Sequence, residues 1–526
     1  MMQEQQANSH WGAEQTMDLV RRLGGDAETV ELCGRVVSSS AEGNVCLTVL
    51  PEAAERLENS AAVQSGLFKV MGNRLYTMRN WRYEENIRKY LKAVTAASAR
   101  EAPAVAVPTD GIFAKLNPAQ REGVAMMCRE KFSLLTGGPG TGKTYTIARA
   151  VKLMREREPS LRLGLAAPTG KAAARVKEAM MSEAKALGLA GGELEATTIH
   201  SLLRSNYDLV SFQHNHANPL PLDWLIVDEA SMIDLPLMAK LLDALPAECR
   251  LTLVGDAHQL ASVEPGRVFG DLCQRPELSR CTLTESRRFP ADGDIHRFAA
   301  AVNGGQAEDA LALLDHSADL QFVPLEAVPP KASQWPGFEA RVKELFGDFQ
   351  RQTSAAAIFA NDCQILNSCR VLCAFREGPY GVRQLNSLVK KLLGDKCPQP
   401  IMVTKNDRSL GVNNGDVGVI LPTEPEKAYF PGHEEPIPVA LLPEWELAFA
   451  TTVHKAQGSE FSQVVVVLPG DAAAGETATA NPLLTREILY TAITRTKKKV
   501  FLFSGKEAIR QCCRKRIERN TGLGNS

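Results

Sequence analysis

From residue 112 onward the chain repeats one rhythm, a short apolar run closed by glycine or proline and then a helical stretch, and few folds accommodate it. Ser133–Thr136 leads to Thr144–Glu158, Leu163–Ala167 to Ala172–Leu187, and Trp224–Val227 to Leu235–Leu245; Pro159 stops the first of these helices. Alternating strands and helices predict a parallel sheet with helices on both faces, which puts the domain in the α/β class. A second block, from about 350 to 515, has the same texture. It contains Cys363–Leu366, Val371–Phe375 with helix Gly381–Leu393, strand Val464–Leu468, helix Leu484–Thr494 and strand Val500–Phe503. Residues 400–450 are punctuated by Gly, Asn and Pro between short strands, which predicts a small β insertion in the second block. Residues 1–91 form a smaller unit of mixed patterning, and the Ala- and Pro-rich stretch 92–111 reads as a linker.

Composition removes several classes of function. Lys and Arg number 60 against 61 Asp and Glu, so the net charge of −1 neither favours nor opposes nucleic acid. A nucleic-acid channel needs only a local excess of donors. No stretch reaches the roughly 18 apolar residues of a membrane span, and Met1–Gln6 lacks the basic start and apolar stretch of a signal peptide. The twelve cysteines are scattered, and Cys363, Cys369 and Cys373 lie near one another without metal-site spacing. Reduced thiols in a cytoplasmic protein, with no membrane association, are the expectation.

Between the run Ser133–Thr136 and the first helix stands Gly137-Gly138-Pro139-Gly140-Thr141-Gly142-Lys143-Thr144. Glycines at these positions let backbone N–H groups turn inward around phosphate oxygens, and the helix N-terminus adds partial positive charge. Lys143 supplies a full charge to the β- and γ-phosphates of ATP, and the Thr144 hydroxyl is placed to ligate Mg²⁺. The apolar run Trp224–Val227 ends in Asp228 and Glu229, although unpaired carboxylates beside a core are costly. Asp228 is suited to hold the Mg²⁺ and Glu229 to polarise an attacking water. A third run, Leu251–Val254, leads through Gly255 and Asp256 to Gln259, an amide that either senses the γ-phosphate or lies in an ordinary surface loop. Arg288 and Arg495 are candidate transition-state cations, although an isolated arginine among 60 basic residues carries little weight.

Taken in order, the phosphate loop, Ala167–Ala173, Thr198–Leu202, Asp228–Ser231, Gly255–Leu260, Val453–Glu460 and Tyr490–Arg495 resemble the motif series of superfamily 1 helicases. Within them, Asn218–Asp223, Gln259–Glu264, Arg376–Val382, Val403–Asp407 and Asn414–Asp416 are similar to the RecD family, the alpha subunits of bacterial exodeoxyribonuclease V (RecBCD). The likeness runs in register over about 110–526. It implies two RecA-like doubly wound motor domains and an SH3-like β insertion. It implies that Gln120 reads the adenine ring, that Gln259 contacts the γ-phosphate, and that Arg288 and Arg495 act as arginine fingers. Arg288 is preferred to its neighbour Arg287 because of its spacing to Phe289. Thr169, His200 and His454 fall in motifs that touch single-stranded DNA in this family.

The resemblance also implies a 5′-to-3′ DNA helicase that works in double-strand break repair by homologous recombination. Its partners are single- and double-stranded DNA and RecB- and RecC-like subunits, with the nuclease on the RecB partner. The corresponding organisation is an N-terminal docking domain (1–105), a first motor domain (106–290) with a strand-separating hairpin over 205–222, a second motor domain (291–515) with its insertion at about 405–448, and a tail (516–526). The alternatives are a stand-alone RecD-like helicase or a DNA-binding scaffold with weak ATPase activity. An N-terminal unit of only about a hundred residues favours the docked subunit, and the intact Lys143, Asp228, Glu229 and Arg495 oppose the scaffold.

Overall fold

The computed structural model describes residues 2–98, 105–188, 195–205, 211–288, 292–325, 337–351, 363–378, 380–423, 425–469 and 483–524. It divides into two compact units, one of Met1–Ala257, Ala261–Thr284 and Glu518–Ser526, the other of His258–Leu260 and Glu285–Ile517.

The first unit is built on a six-stranded parallel sheet in the order Ala196–Thr198, Leu163–Ala167, Trp224–Val227, Arg250–Gly255, Phe132–Gly137, Arg280–Leu283. Its four central strands are buried on both faces along nearly their whole length, and successive residues enter opposite cores. Leu134, Leu225 and Leu253 pack on Met238 and Leu241, whereas Leu135, Ile226 and Val254 pack on Ile147, Val151 and Met180. Burial on both faces explains why these central strands read as mainly apolar runs without polar alternation. The helices Lys143–Arg157, Gly170–Leu187 and Leu235–Asp243 supply the covering layers.

Ahead of this sheet, helices Met2–Arg22 and Ala27–Ala41 precede a three-stranded antiparallel sheet in the order Cys46–Thr48, Arg74–Thr77, Phe68–Met71. Helix Met78–Ser98 then contributes Ile87, Leu91 and Val94 to the same core as Leu237 and Met238. The first part of the expected linker is therefore helix. Ala93, Ala96 and Ala97 are as good at extending a helix as at filling a linker, and burial of Leu91 and Val94 decides for the helix.

The second unit has a five-stranded parallel sheet in the order Leu320–Pro324, Thr496–Ser504, Phe461–Leu468, Cys369–Cys373, Ala450–Thr452. Val464 and Val466 face one core, Val465 and Val467 the other. The fold is thus the expected α/β one, with two doubly wound parallel-sheet domains. A five-stranded antiparallel sheet is inserted in the second, ordered Ile437–Pro438, Lys427–Tyr429, Val417–Leu421, Gln399–Val403, Trp445–Leu447, with its own core of Ile401, Val403, Val412, Ile420 and Phe430.

One apolar run forms something else. Gln364–Asn367 is a 3₁₀ turn, and the neighbouring strand is Cys369–Cys373, all five residues buried. Cys363 stands in a left-handed conformation (φ +53°) that breaks an extended run at its first residue, and the turn that follows closes at Ser368. In the expected hairpin, Ser205 pairs with Phe212 antiparallel; Tyr207 lies outside the described residues, as do Phe289 and Pro379. All twelve cysteines are free and buried. Among the described residues no His, Cys, Asp and Glu cluster suits a metal, and no helix is long and apolar enough to cross a membrane.

Candidate nucleotide site and the arginine cluster of the second unit

The carboxyl ends of strands Phe132–Gly137, Trp224–Val227 and Arg250–Gly255 carry the phosphate-type loop, the Asp228–Glu229 pair and Asp256. Open α/β sheets bind ligands at such ends, where strand order reverses. The loop needs its glycines individually. A side chain at Gly137 would meet Thr141 Oγ1 at 2.7 Å and the Leu283 carbonyl at 2.8 Å. Gly142 caps helix Lys143–Arg157 at φ +84°, and a Cβ there would lie 2.6 Å from Gln120 Nε2. Gly140 is also left-handed, at φ +76°. The loop is braced internally by Thr141 Oγ1, which donates to Gly138 O at 2.9 Å. Lys143 Nζ folds back over it, donating to Gly137 O at 2.6 Å and Gly138 O at 3.1 Å. Thr144 stands half-buried on the helix's first turn.

Gln120 is buried and does two structural tasks. With Asn117 it forms the capping box of helix Pro118–Arg129, and its Nε2 donates to Thr141 O at 3.2 Å. Its Oε1 accepts the Asn117 N–H at 3.2 Å, which leaves one N–H and one lone pair of the amide outside these bonds.

Asp228 is buried, its backbone N–H bonded to Ala166 O at 2.9 Å and its carboxylate accepting the Glu229 N–H at 2.8 Å. Burial raises its carboxyl above the usual carboxylate range, and the Glu229 charge raises it further, against the pull of Lys143 and Arg175. An under-compensated carboxylate that feels the charge of Lys143, the residue before Thr144, supplies with that hydroxyl the hard-oxygen donor types that fit Mg²⁺. Glu229 sits at φ +52°, a conformation that costs a residue with a side chain about 1 kcal/mol or more.

Thr169 caps helix Gly170–Leu187 by accepting the Ala172 N–H at 3.2 Å. His200, exposed on the short helix Ile199–Leu202, tilts against Phe212 with ring centroids 5.9 Å apart.

The second unit gathers Gln259, Arg288, Arg495 and His454 around the turn 453–460. Leu260, next to Gln259, donates its N–H to Thr491 Oγ1 at 3.0 Å and accepts from Gln457 Nε2 at 2.7 Å. Arg495 is buried, its Nε 3.3 Å from Thr491 O and its Nη1 3.4 Å from Ser459 O. Arg288 Nη2 pairs with Glu460, whose other oxygen lies 3.7 Å from Lys497 Nζ. Arg288 Nη1 is buried with no hydrogen-bond partner among the described residues. His454 is half-buried on that turn.

Sequence reasoning missed two parts of this arrangement. Glu460 is the counter-ion that orients Arg288, and Arg175 is a cation within reach of Asp228. Glu460 was visible only as the last residue of a motif. Arg175 falls on the same helix face as Lys171, four residues before it.

Residues 120–265 match a family model described as an AAA domain, and residues 447–503 match the UvrD-like helicase C-terminal domain. The RecBCD enzyme subunit RecD of Haemophilus influenzae is 34% identical, over 86% of this chain and 79% of that protein. The RecD subunit of Mycolicibacterium smegmatis is 36% identical, over 88% and 83%. The ATP-dependent RecD2 DNA helicase of Deinococcus radiodurans is 32% identical, over 78% of this chain but 52% of that protein. Among solved structures, Bacteroides Pif1 bound to single-stranded DNA superposes with a TM-score of 0.42 at 17% identity, covering 75% of this chain and 93% of that one.

Proposed function

Because the chain belongs to the RecD family of RecBCD enzyme subunits, we propose that it is an ATP-driven 5′-to-3′ DNA helicase working with RecB- and RecC-like partners in double-strand break repair. The observation that carries the chemistry is the first unit's glycine cradle with Lys143, opposite a buried and under-compensated Asp228 beside Glu229.

In this reading Gly137–Thr144 wraps the phosphates, Lys143 exchanges the loop carbonyls for the β- and γ-oxygens, and Gln120 turns its remaining donor and acceptor to adenine. Thr144 and Asp228 hold Mg²⁺, which when bound neutralises charge on the phosphates. Glu229 orients and polarises the attacking water, and its strained backbone fixes where the carboxylate points. Gln259, Arg288 and Arg495 respond to the γ-phosphate. The unpaired Nη1 of Arg288 supports that assignment, since a buried guanidinium donor is costly until an anion takes it. Thr169, His200 and His454 hold the DNA strand by its backbone, and the segment around Ser205 and Phe212 separates the duplex. The domain organisation follows the family, with residues 1–105 docking on the partner subunits and the insertion carried by the second motor domain. The match favours the subunit over a stand-alone helicase, since the RecD proteins are 34–36% identical over 86–88% of this chain and the RecD2 protein 32% identical over 78% of it.

The test is Lys143→Gln in the protein purified with its RecB- and RecC-like partners. We expect assembly to persist, ATP hydrolysis attributable to this chain to vanish, and unwinding from 5′ overhangs to be lost while 3′ overhangs are still used. Unchanged hydrolysis, or selective loss on 3′ overhangs, would refute the reading.

A further inference from the structure

Residues 518–524 pack in the first unit by backbone pairing. Asn520 O accepts from Val45 N–H at 2.8 Å, Asn44 Oδ1 accepts from Asn520 N–H at 2.9 Å, and Gly522 N–H donates to the buried Glu84 at 3.0 Å. A side chain at Gly522 would collide with Arg88, Glu84 and Tyr76 at 2.3–2.4 Å, so this path is tailored to the strap.

The strap's one long side chain that reaches a functional loop is Arg519. Its guanidinium donates to three carbonyls of a single turn, Ser262 O at 2.6 Å, Glu264 O at 2.9 Å and Gly266 O at 2.6 Å. The turn is held from two other sides. Gly266 N–H donates to Gly43 O at 2.9 Å, and Pro265 O accepts from Leu235 N–H at 3.0 Å. Gly43 itself (φ +91°) must lack a side chain, because a Cβ would lie 2.6 Å from Arg519 Nε.

This turn begins three residues after Gln259. Leu260 is fixed in the second unit through Thr491 and Gln457, and Ser262 is fixed in the first through Arg519; only Ala261 lies between. Two peptide units span at most about 7 Å, so slack is small and movement at one anchor must be felt at the other. A rigid planar fork on three carbonyls makes the first-unit anchor stiff in a way that a lysine, as a point charge, does not reproduce.

We propose that Arg519 is a positioning residue for the nucleotide switch: by clamping the turn Ser262–Gly266 it fixes the base from which Gln259 relays the state of the γ-phosphate. This rests on the motor reading given above. Residues 518–524 and the Asn44 segment are then part of the coupling between ATP and DNA, with no contact to either.

The experiment compares parent, Arg519→Ala, Arg519→Lys and Gly43→Ala in the full chain purified with its partners. The readout is the ratio of DNA-stimulated to basal ATP hydrolysis, alongside thermal melting and the KM for ATP. We expect the ratio to fall by about fivefold or more in all three variants, the low end of coupling between sites, with Arg519→Lys failing to rescue. A KM shift accounting for the whole loss, or a ratio within about twofold of the parent in the variants that fold, overturns the proposal. Should Arg519→Ala not fold, Arg519→Lys and Gly43→Ala decide by the same criterion. A parent with no DNA-stimulated hydrolysis sinks the motor reading and this inference together. A stimulated parent with variants that track it sinks the inference alone.

Discussion

Glu229 and Asp271 both put a carboxylate where the fold does not welcome one, and the difference between them separates function from circumstance. Glu229 follows an apolar strand in a left-handed conformation beside the buried Asp228, which feels the charge of Lys143 in the glycine loop. Asp271 lies on helix Val268–Leu272, away from the phosphate loop, with one oxygen buried and unbonded. Burial lifts its carboxyl to about 6, against the pull of Arg267 and the Thr521 hydroxyl. The folded state thus holds that proton more tightly than an exposed aspartate, whose ordinary value is 3.8. The contribution to stability is full below about 3.8 and is lost as pH rises to about 6. Asp271→Asn should therefore raise unfolding stability at pH 7.5 by on the order of 2 kcal/mol and flatten its dependence on pH over that window. Chemical denaturation of both proteins at pH 5 and 7.5 checks this; a variant less stable at pH 7.5 would show that the carboxylate is compensated.

Elements differ in how openly the sequence declares them. The strands around the phosphate loop were legible because burial on both faces forces a mainly apolar run, and because Gly137–Thr144 makes sense only between a strand and a helix. The helix over 92–98 was hidden by alanines that suit helix and linker alike, and the 3₁₀ turn at Gln364–Asn367 by apolar residues too few to fix a period. The strap at 518–524 had no sequence signal, since its partners are backbone atoms and the side chains of Asn44 and Glu84, all distant in the chain. Polar side chains that hold elements together are equally silent. Asn386 donates to Leu447 O at 2.8 Å and Ala450 O at 3.0 Å, and accepts the Ala450 N–H at 2.8 Å. It thereby pins the edge strand Ala450–Thr452, where the chain leaves the insertion for the turn 453–460. Asn386→Ala strands these buried groups and should cost about 2–4 kcal/mol, measured by denaturant unfolding. A loss below about 1 kcal/mol would mean that water or a shifted strand takes over the bonds.

At the scale of the molecule, the net charge of −1 constrains how a DNA motor of this kind holds its track. The chain as a whole gives no net attraction to a polyanion, so affinity must come from a local excess of donors. The residues proposed to touch the strand are Thr169, His200 and His454, none of them a lysine or arginine. Thr169 also spends its hydroxyl on a helix cap, and His200 is exposed against Phe212, an arrangement suited to stacking or backbone contact. A grip of this kind displaces few counterions. Single strands release about 0.7 ion for each phosphate neutralised by a basic side chain, so the slope of log affinity against log salt should be shallower than about −3. Stacking and hydroxyl contacts tolerate any base, so affinities for oligothymidine and oligoadenosine of equal length should agree within about tenfold. Fluorescence anisotropy across a salt series reads both quantities. A slope near −6 would mean that lysines and arginines outside these motifs carry the strand. In that case the Lys497–Lys499 run, at the start of strand Thr496–Ser504, would be the first place to substitute.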